Sequence, residues 1–328
     1  MKAMLVNEHR DLVWSDVPDP VINSDEVLVK IHAAALNRAD LLQRQGKYPS
    51  PEGCPPWMGL EIAGEIIEIG AKIPSVSAWK VGDRVCALLG GGGYAEYVAV
   101  KYDMLMPIPR GLTMEEASAL PEAYATSYLN LFLEGHLKAG QTAFIPAGAS
   151  GLASVAIPMA KAFGACVITS VLSNEIAEKI RPLGADLIIN SRTHNVAGIL
   201  AAEETAGHPV NVAMDCLSGQ TLGQCIPYMA RGGYWVVIST LDGIETTLPL
   251  RPLLTRGIHI VGSMLRNRAP SYKAYILSQL VEHVWPKIES GEIRPSIYRI
   301  LPMEQAQNAH GLLERCENVG KVVLTLSH

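Results

Sequence analysis

The chain has 328 residues, 48% hydrophobic and 18% charged, with a formal net charge of −5. That length allows roughly two domains with a sizeable buried core, and the balance excludes a disordered chain. The acidic excess and the lack of any Lys/Arg run speak against a nucleic-acid partner.

The opening MKAMLVNEHRDLVW lacks the apolar core of a secretory signal. The uncharged stretch Ala139–Ala160 contains Pro146 and Pro158 and begins with strand character, which argues against a membrane span. The six cysteines (Cys54, Cys86, Cys166, Cys216, Cys225, Cys316) are dispersed and form no CxxC pair. They are expected to be small buried hydrophobes in a reducing cytoplasm.

Residues 1–119 have β-rich texture. MKAMLVNE, EVLVKIHAAAL, GLEIAGEIIEIG and KVGDRVCALLGGGGYAEYVAV are short apolar runs with glycine punctuation, which predicts a small, strongly curved, barrel-like sheet. The Gly90–Gly93 run is either a simple turn or a place where the backbone approaches a ligand. The densest polar cluster follows Leu36: Asn37, Arg38, Asp40, Gln43, Arg44 and then Tyr48. Helical spacing allows a solvated helix with an i,i+4 Asp40–Arg44 pair.

From about Leu120 strands and helices alternate. Thr142–Pro146, a small-residue turn at Ala147–Gly151, a helix to about Phe163 and a strand Cys166–Leu172 make a βαβ unit. Small residues at a helix start let the backbone approach a pyrophosphate, and the helix dipole favours the anion. The spacing is a variant of G-x-G-x-x-G, with Gly148, Ser150, Gly151 and Ala153 where more glycines are usual, and Pro158 should kink the helix. Ser173 suits an N-cap for a helix Asn174–Leu183. Strands are expected at 186–190, 210–217, 234–240 and 258–265, with helices at 194–205 and 220–229. This rhythm predicts a parallel, doubly wound, Rossmann-like sheet spanning residues 120–265. A long helix (272–288), short strands (296–301, 321–326) and another helix (304–316) then return to the first domain. Domain one is thus residues 1–119 plus 266–328, and ligand sites commonly lie in the cleft between domains.

No metal-ligand or hydrolase motif is present. The words ALNRADLLQRQGKYP, GLEIAGEI, VGDRVCALLGGGGYAEYV, LPEAYATSYLNL, AGASGLASVA, LGAD, VNVAMDC, GGYWVVIS and SMLRNR run through nearly the whole chain. In this order the sequence resembles the zinc-independent quinone oxidoreductase branch of the medium-chain dehydrogenase/reductase superfamily, in particular its p53-inducible quinone oxidoreductase type. The resemblance implies a GroES-like catalytic domain into which a Rossmann domain is inserted. Zinc-dependent members carry a Cys and a His where this chain has Asn37 and Leu60, and the four-cysteine zinc lobe is absent. Hydride would therefore pass from a nicotinamide to a quinone without a metal.

The resemblance further implies that Asn37 and Tyr48 face acceptor and nicotinamide. Thr126 would lie near the nicotinamide. Gly148, Ser150, Gly151 and Leu152 would hold the pyrophosphate, Ser150 through its hydroxyl or N–H. Ser239 would border the nicotinamide ribose, and Arg266 and Arg268 would approach the cofactor. No acidic residue stands at the tip of the second strand, which favours NADPH over NADH. Arg192, helped by Ser173, would supply the charge for the 2′-phosphate, with Glu175 opposing it. Reduction of an activated C=C bond in an enone or enoyl thioester, and a nicotinamide-binding sensor with little turnover, are the competing functions. The family usually pairs the strand read here as 258–265 across a two-fold axis, so a homodimer is expected.

Overall fold

The computed structural model describes residues 1–74 and 79–326. It divides into two units, and each is considered by itself. The first comprises Met1–Ala125, Ala269–Gly291 and the chain from Pro295 onward; the second comprises Thr126–Arg268 and Glu292–Arg294.

In the first unit, β1 (Lys2–Val6) and β2 (Leu12–Asp16) form an antiparallel pair. The main sheet is built on β3 (Glu26–Ala35), β4 (Glu61–Ile69), β5 (Arg84–Leu88), β6 (Tyr97–Lys101) and β7 (Leu105–Pro107). The strands β14 (Ile297–Pro302) and β15 (Lys321–Thr325) complete it in the order β14-β15-β3-β4-β5-β7, with β6 also on β3. The register shifts twice between β3 and β4, at Leu28/Val29 and Ile31/Ala33. Such bulges bend a sheet and raise its twist. Helices α1 (Arg38–Arg44), α2 (Met114–Ser118) and α3 (Pro121–Tyr128) also begin here. The glycine run is explained by packing of the chain on itself. A Cβ on Gly59 would meet the backbone of Gly93 at 2.5 Å, and one on Gly90 would meet Cys54 Sγ at 2.5 Å.

The second unit is a six-stranded parallel sheet ordered β10-β9-β8-β11-β12-β13. Its strands are β8 (Thr142–Ile145), β9 (Cys166–Val171), β10 (Leu187–Asn190), β11 (Val210–Asp215), β12 (Met229–Val237) and β13 (His259–Gly262). Between them lie α4 (Ala153–Ala162), α5 (Asn174–Ile180), α6 (Val196–Thr205), α7 (Gly219–Cys225) and α8 (Leu250–Arg256). All of β8 is buried, as is nearly all of β9 and β11. This is the continuous apolar pattern of a parallel sheet covered on both faces. The helix α4 runs through Pro158 to Ala162.

Three expectations change, two in this unit and one in the first. β12 begins at Met229 rather than Tyr234, because its register jumps from Val210↔Met229 to Val212↔Tyr234 around Arg231–Gly233, where Gly232 has φ +69°. The preceding helix accordingly stops at Cys225. Helix α8 was not anticipated; it is only seven residues long, carries Pro252 in its first turn, and packs Leu253 against the core while Leu250 and Leu254 stay exposed, too short a pattern for periodicity to find. The long helix expected after residue 272 is two, α9 (Pro270–His283) and α10 (Trp285–Glu289), because Pro286 cannot donate into a continuing helix. The final helix, α11 (Ala306–Glu314), follows a 3₁₀ turn at Met303–Gln305.

Candidate active site

In the second unit the strand order reverses between β8 and β11, the position at which open α/β sheets bind ligands. The turn after β8 is shaped by its contact with β9. Gly148 N donates to Ser170 O at 2.8 Å, and a Cβ on Gly148 would lie 2.4 Å from Thr169 Oγ1 and 2.8 Å from Ile180 Cδ1. Thr169 Oγ1 is itself committed to Ile145 O at 2.6 Å, so only glycine fits. Ala147, just before, adopts φ +55°, a left-handed conformation that costs a non-glycine residue energy.

The turn presents donors outward. Among the described residues, the N–H groups of Ala149, Gly151 and Leu152 have no acceptor. Ser150 N–H is spent on Ala147 O at 2.9 Å, and its Oγ accepts from Ala153 N at 3.1 Å, which leaves the hydroxyl hydrogen to donate. Three unpaired N–H groups and a hydroxyl at the start of α4 fit the pyrophosphate of a dinucleotide.

At the edge of the same sheet Ser173 follows β9 and Arg192 follows its neighbour β10. Ser191 N and Oγ both donate to Val171 O (2.9 and 3.1 Å), and Asn190 Nδ2 donates to Asn174 Oδ1 at 2.8 Å. These bonds pin the turn bearing Arg192 to the start of α5, which Ser173 caps by accepting from Ile176 N. Arg192 is exposed, and among the described residues no carboxylate pairs with it. Glu175, expected to oppose it, forms an i,i+4 pair with Lys179 at 2.6 Å, which holds its carboxyl below the usual range. The local balance at the tip of β9 is therefore positive.

The other cofactor candidates are more dispersed. Thr126 is half-buried in α3, its carbonyl accepting from Asn130 Nδ2 at 2.7 Å. Ser239 is half-buried beyond β12 and accepts through its carbonyl from Ser218 Oγ at 2.7 Å. Arg266 is buried, and Arg268 pairs with Glu134 at 2.6 Å.

The first unit holds Asn37 and Tyr48. Tyr48 is half-buried on the segment after α1. Asn37 is the N-cap of α1, and its amide belongs to a buried charged network. Its Nδ2 donates to Glu61 Oε1 at 2.9 Å, while its Oδ1 accepts from Lys321 Nζ at 2.8 Å. Lys321 also donates to Leu36 O (2.8 Å) and to Glu61 Oε1 (2.6 Å), and Glu122 N donates to Glu61 Oε2 (2.8 Å). Each acceptor and donor of the ion pair thus has a partner, the condition under which buried charges are tolerated.

Beside this network is a second buried group. Asp40 does not form the expected solvated pair with Arg44, which instead donates to Arg10 O and lies 3.6 Å from Glu314. Asp40 is 1% exposed and accepts from Asn37 N (2.8 Å), Gly59 N (3.2 Å) and Tyr94 OH (3.1 Å). The Tyr94 hydroxyl lies 3.4 Å from His310 Nε2. Burial pushes the Asp40 carboxyl up to about 6, against its three donors, and pushes His310 down to about 3. A folded-state pKa above the unfolded value means that the stability linked to Asp40 is complete below about pH 4. It is lost as pH rises through about 6. His310 acts in the opposite sense, favouring the folded state above its unfolded pKa. Asp40→Asn should remove the Asp40 contribution, so that in denaturant titrations stability falls more steeply than in wild type as pH drops from 6 to 4. Identical slopes would contradict the assignment.

Glu61, Lys321 and Tyr94 are not singled out by the sequence, and Asp40 only as a member of a solvated pair. The available signal was charged residues inside apolar words: Glu61 in GLEIAGEI and Lys321 at the head of KVVLTL. Among the described residues, no group of three or more His, Cys, Asp or Glu is placed to hold a metal ion, and no helix is long and apolar enough to cross a membrane.

Comparison with known proteins agrees with both units. The family described as "Alcohol dehydrogenase GroES-like domain" matches residues 23–110, and that described as "Zinc-binding dehydrogenase" matches residues 151–282. A quinone oxidoreductase-like protein 2 homolog from Nematostella vectensis is 30% identical over 307 residues, covering 92% of this chain and 82% of that protein. The chain belongs to the medium-chain dehydrogenase/reductase superfamily, in its quinone oxidoreductase branch. This quinone oxidoreductase-like chain shares its fold with a solved NAD-dependent alcohol dehydrogenase (28% identity, TM-score 0.84, covering 100% of both chains). It also matches the mycobacterial protein Rv1454c complexed with NADPH (24% identity, TM-score 0.85, covering 99% of this chain and 100% of that one), a likeness of fold. The protein is an oxidoreductase of this superfamily.

Proposed function

We propose that the protein transfers hydride from NADPH to a quinone without a metal. The observation that carries this reading is the turn after β8, with three unpaired N–H groups at the start of α4, in a chain 30% identical to a quinone oxidoreductase-like protein. In this reading Gly148, Ser150, Gly151 and Leu152 hold the pyrophosphate, and Ser173 and Arg192 take the 2′-phosphate. Thr126, Ser239, Arg266 and Arg268 serve the nicotinamide half, and Asn37 and Tyr48 serve the acceptor. The bound cofactor supplies the hydride; the residues bind and orient. Where zinc-dependent members carry thiolate and imidazole, this chain offers the Asn37 amide and Leu60, which suits an acceptor that needs little electrophilic help.

Arg192 decides the choice of cofactor. Arg192→Ala should weaken NADPH binding about tenfold or more, the loss of a charge-assisted hydrogen bond, and leave NADH unchanged. A fluorescence titration with both nucleotides checks this, and equal weakening would sink the NADPH assignment. A parallel steady-state comparison of a quinone with an enone tests the acceptor, because the alternative reduction of an activated C=C bond uses the same hydride geometry.

A homodimer is part of the same proposal. Among the described residues β13 pairs on one side only, with β12, and Ile260 and Met264 nearby are 39% and 48% exposed. An open apolar edge of this kind invites a second copy of the strand. Light scattering is expected to give twice the chain mass. A monomer that persists at high concentration would refute the pairing.

A further inference from the structure

The Asn37 amide is held by groups from distant parts of the chain. Lys321 opens the last strand, 284 residues from Asn37, and places its ammonium 2.8 Å from Asn37 Oδ1. Glu61, at the head of β4, takes an Nδ2 hydrogen at 2.9 Å. These two contacts fix which way the amide faces, because a flipped amide would put NH₂ against the ammonium and oxygen against the carboxylate. Only one donor of the amide is then loosely held. Its other contact, to Ala35 O, is 3.5 Å long, beyond the usual 2.7–3.2 Å for such bonds. Lys321 has no such freedom: its three protons go to Leu36 O, Asn37 Oδ1 and Glu61 Oε1, and its side chain is 4% exposed.

We propose that Lys321 is a positioning residue for the reduction. It orients the Asn37 amide so that the loosely held N–H is offered to the carbonyl oxygen of the acceptor. This rests on the function proposed above and narrows it. The favoured acceptors carry a carbonyl conjugated to the carbon or ring that receives the hydride, since negative charge then develops on an oxygen that the amide can meet. A fixed positive charge on Oδ1 polarises the amide and strengthens its remaining N–H as a donor. A donor aimed at developing charge contributes most when it is already oriented.

The test uses the full-length protein and needs no variant of the ion pair in its first arm. In ¹H–¹⁵N spectra of cofactor-free wild type, the Asn37 side-chain pair is identified by its loss in Asn37→Ser. Titration with 1,4-benzoquinone should shift one proton of the pair and leave the Glu61-bound proton in place. Both moving together, or neither moving, overturns the proposal.

The second arm compares Lys321→Gln and Lys321→Arg. The Gln variant should lower kcat by about 100-fold, with KM for the quinone and Kd for NADPH changed no more than about threefold. Arg, which keeps the charge and a donor, should recover part of that loss. Wild-type kcat in a folded Gln variant overturns the proposal. So does a loss confined to NADPH affinity. If wild type reduces no carbonyl acceptor, the functional reading fails on that result alone, while the amide titration still decides whether Asn37 meets a carbonyl oxygen.

Discussion

Lys321→Ala is expected to destabilise the protein by about 3–5 kcal/mol, the range found when one partner of a buried ion pair is removed. The side chains of Lys321 and Glu61 are 4% and 0% exposed, so water cannot take over solvation of the carboxylate left behind. Loss of the ammonium also strands Leu36 O and Asn37 Oδ1 without their donor. The effect should exceed that of Lys179→Ala many times over. Lys179 and Glu175 lie at the same 2.6 Å but form an exposed i,i+4 pair of the kind that contributes little. Urea denaturation of both variants checks this. A Lys321→Ala protein as stable as wild type would mean that the buried pair is neither strained by removal nor held as described. Because β15 begins at Lys321 and pairs with both β14 and β3, the loss should be felt across the first unit.

Gly148→Ala is expected to lower NADPH affinity by about 10- to 100-fold, the scale of losing a hydrogen bond to a charged group. The added Cβ has no room: it meets Thr169 Oγ1 at 2.4 Å and Ile180 Cδ1 at 2.8 Å, and the Thr169 hydroxyl is tied to Ile145 O. The turn must lift off β9, and the N–H groups of Ala149, Gly151 and Leu152 move with it. Overpacking of this kind costs about 1–3 kcal/mol of stability as well. A double-mutant cycle with Thr169→Ala separates the two readouts, since removing the obstructing hydroxyl should restore part of the affinity. Unchanged NADPH binding in Gly148→Ala would show that the turn is not the pyrophosphate site.

The parallel sheet was legible because its strands are unbroken apolar runs, buried on both faces, and because β and α elements alternate. The edges of that reading failed where local chemistry is atypical. Met229–Gly233 carries two glycines and an arginine inside a strand, and Leu250–Arg256 is a seven-residue helix with a proline in its first turn and one leucine, Leu253, on the core. In the site, the residues proposed to hold the pyrophosphate and the 2′-phosphate lie in contiguous words or at the ends of the neighbouring strands β9 and β10, so a reading of the sequence can group them. The network around Asn37 is different in kind. Glu61 and Lys321 are 260 residues apart, and only pairing of β15 with β3 and of β3 with β4 brings them together. Asp40 was misread for a related reason. Helical spacing offered it Arg44, whereas the sheet delivers Tyr94 and the Gly59 N–H to its buried carboxylate.

The most direct test of the account is NADPH oxidation by 1,4-benzoquinone, with 4-deuterated cofactor and a chelator present throughout. Metal-free hydride transfer predicts turnover that the chelator leaves unchanged, a primary isotope effect for one C4 hydrogen, and slower turnover with an enone. A protein that binds NADPH but oxidises it with no acceptor, or whose turnover the chelator abolishes, would contradict it.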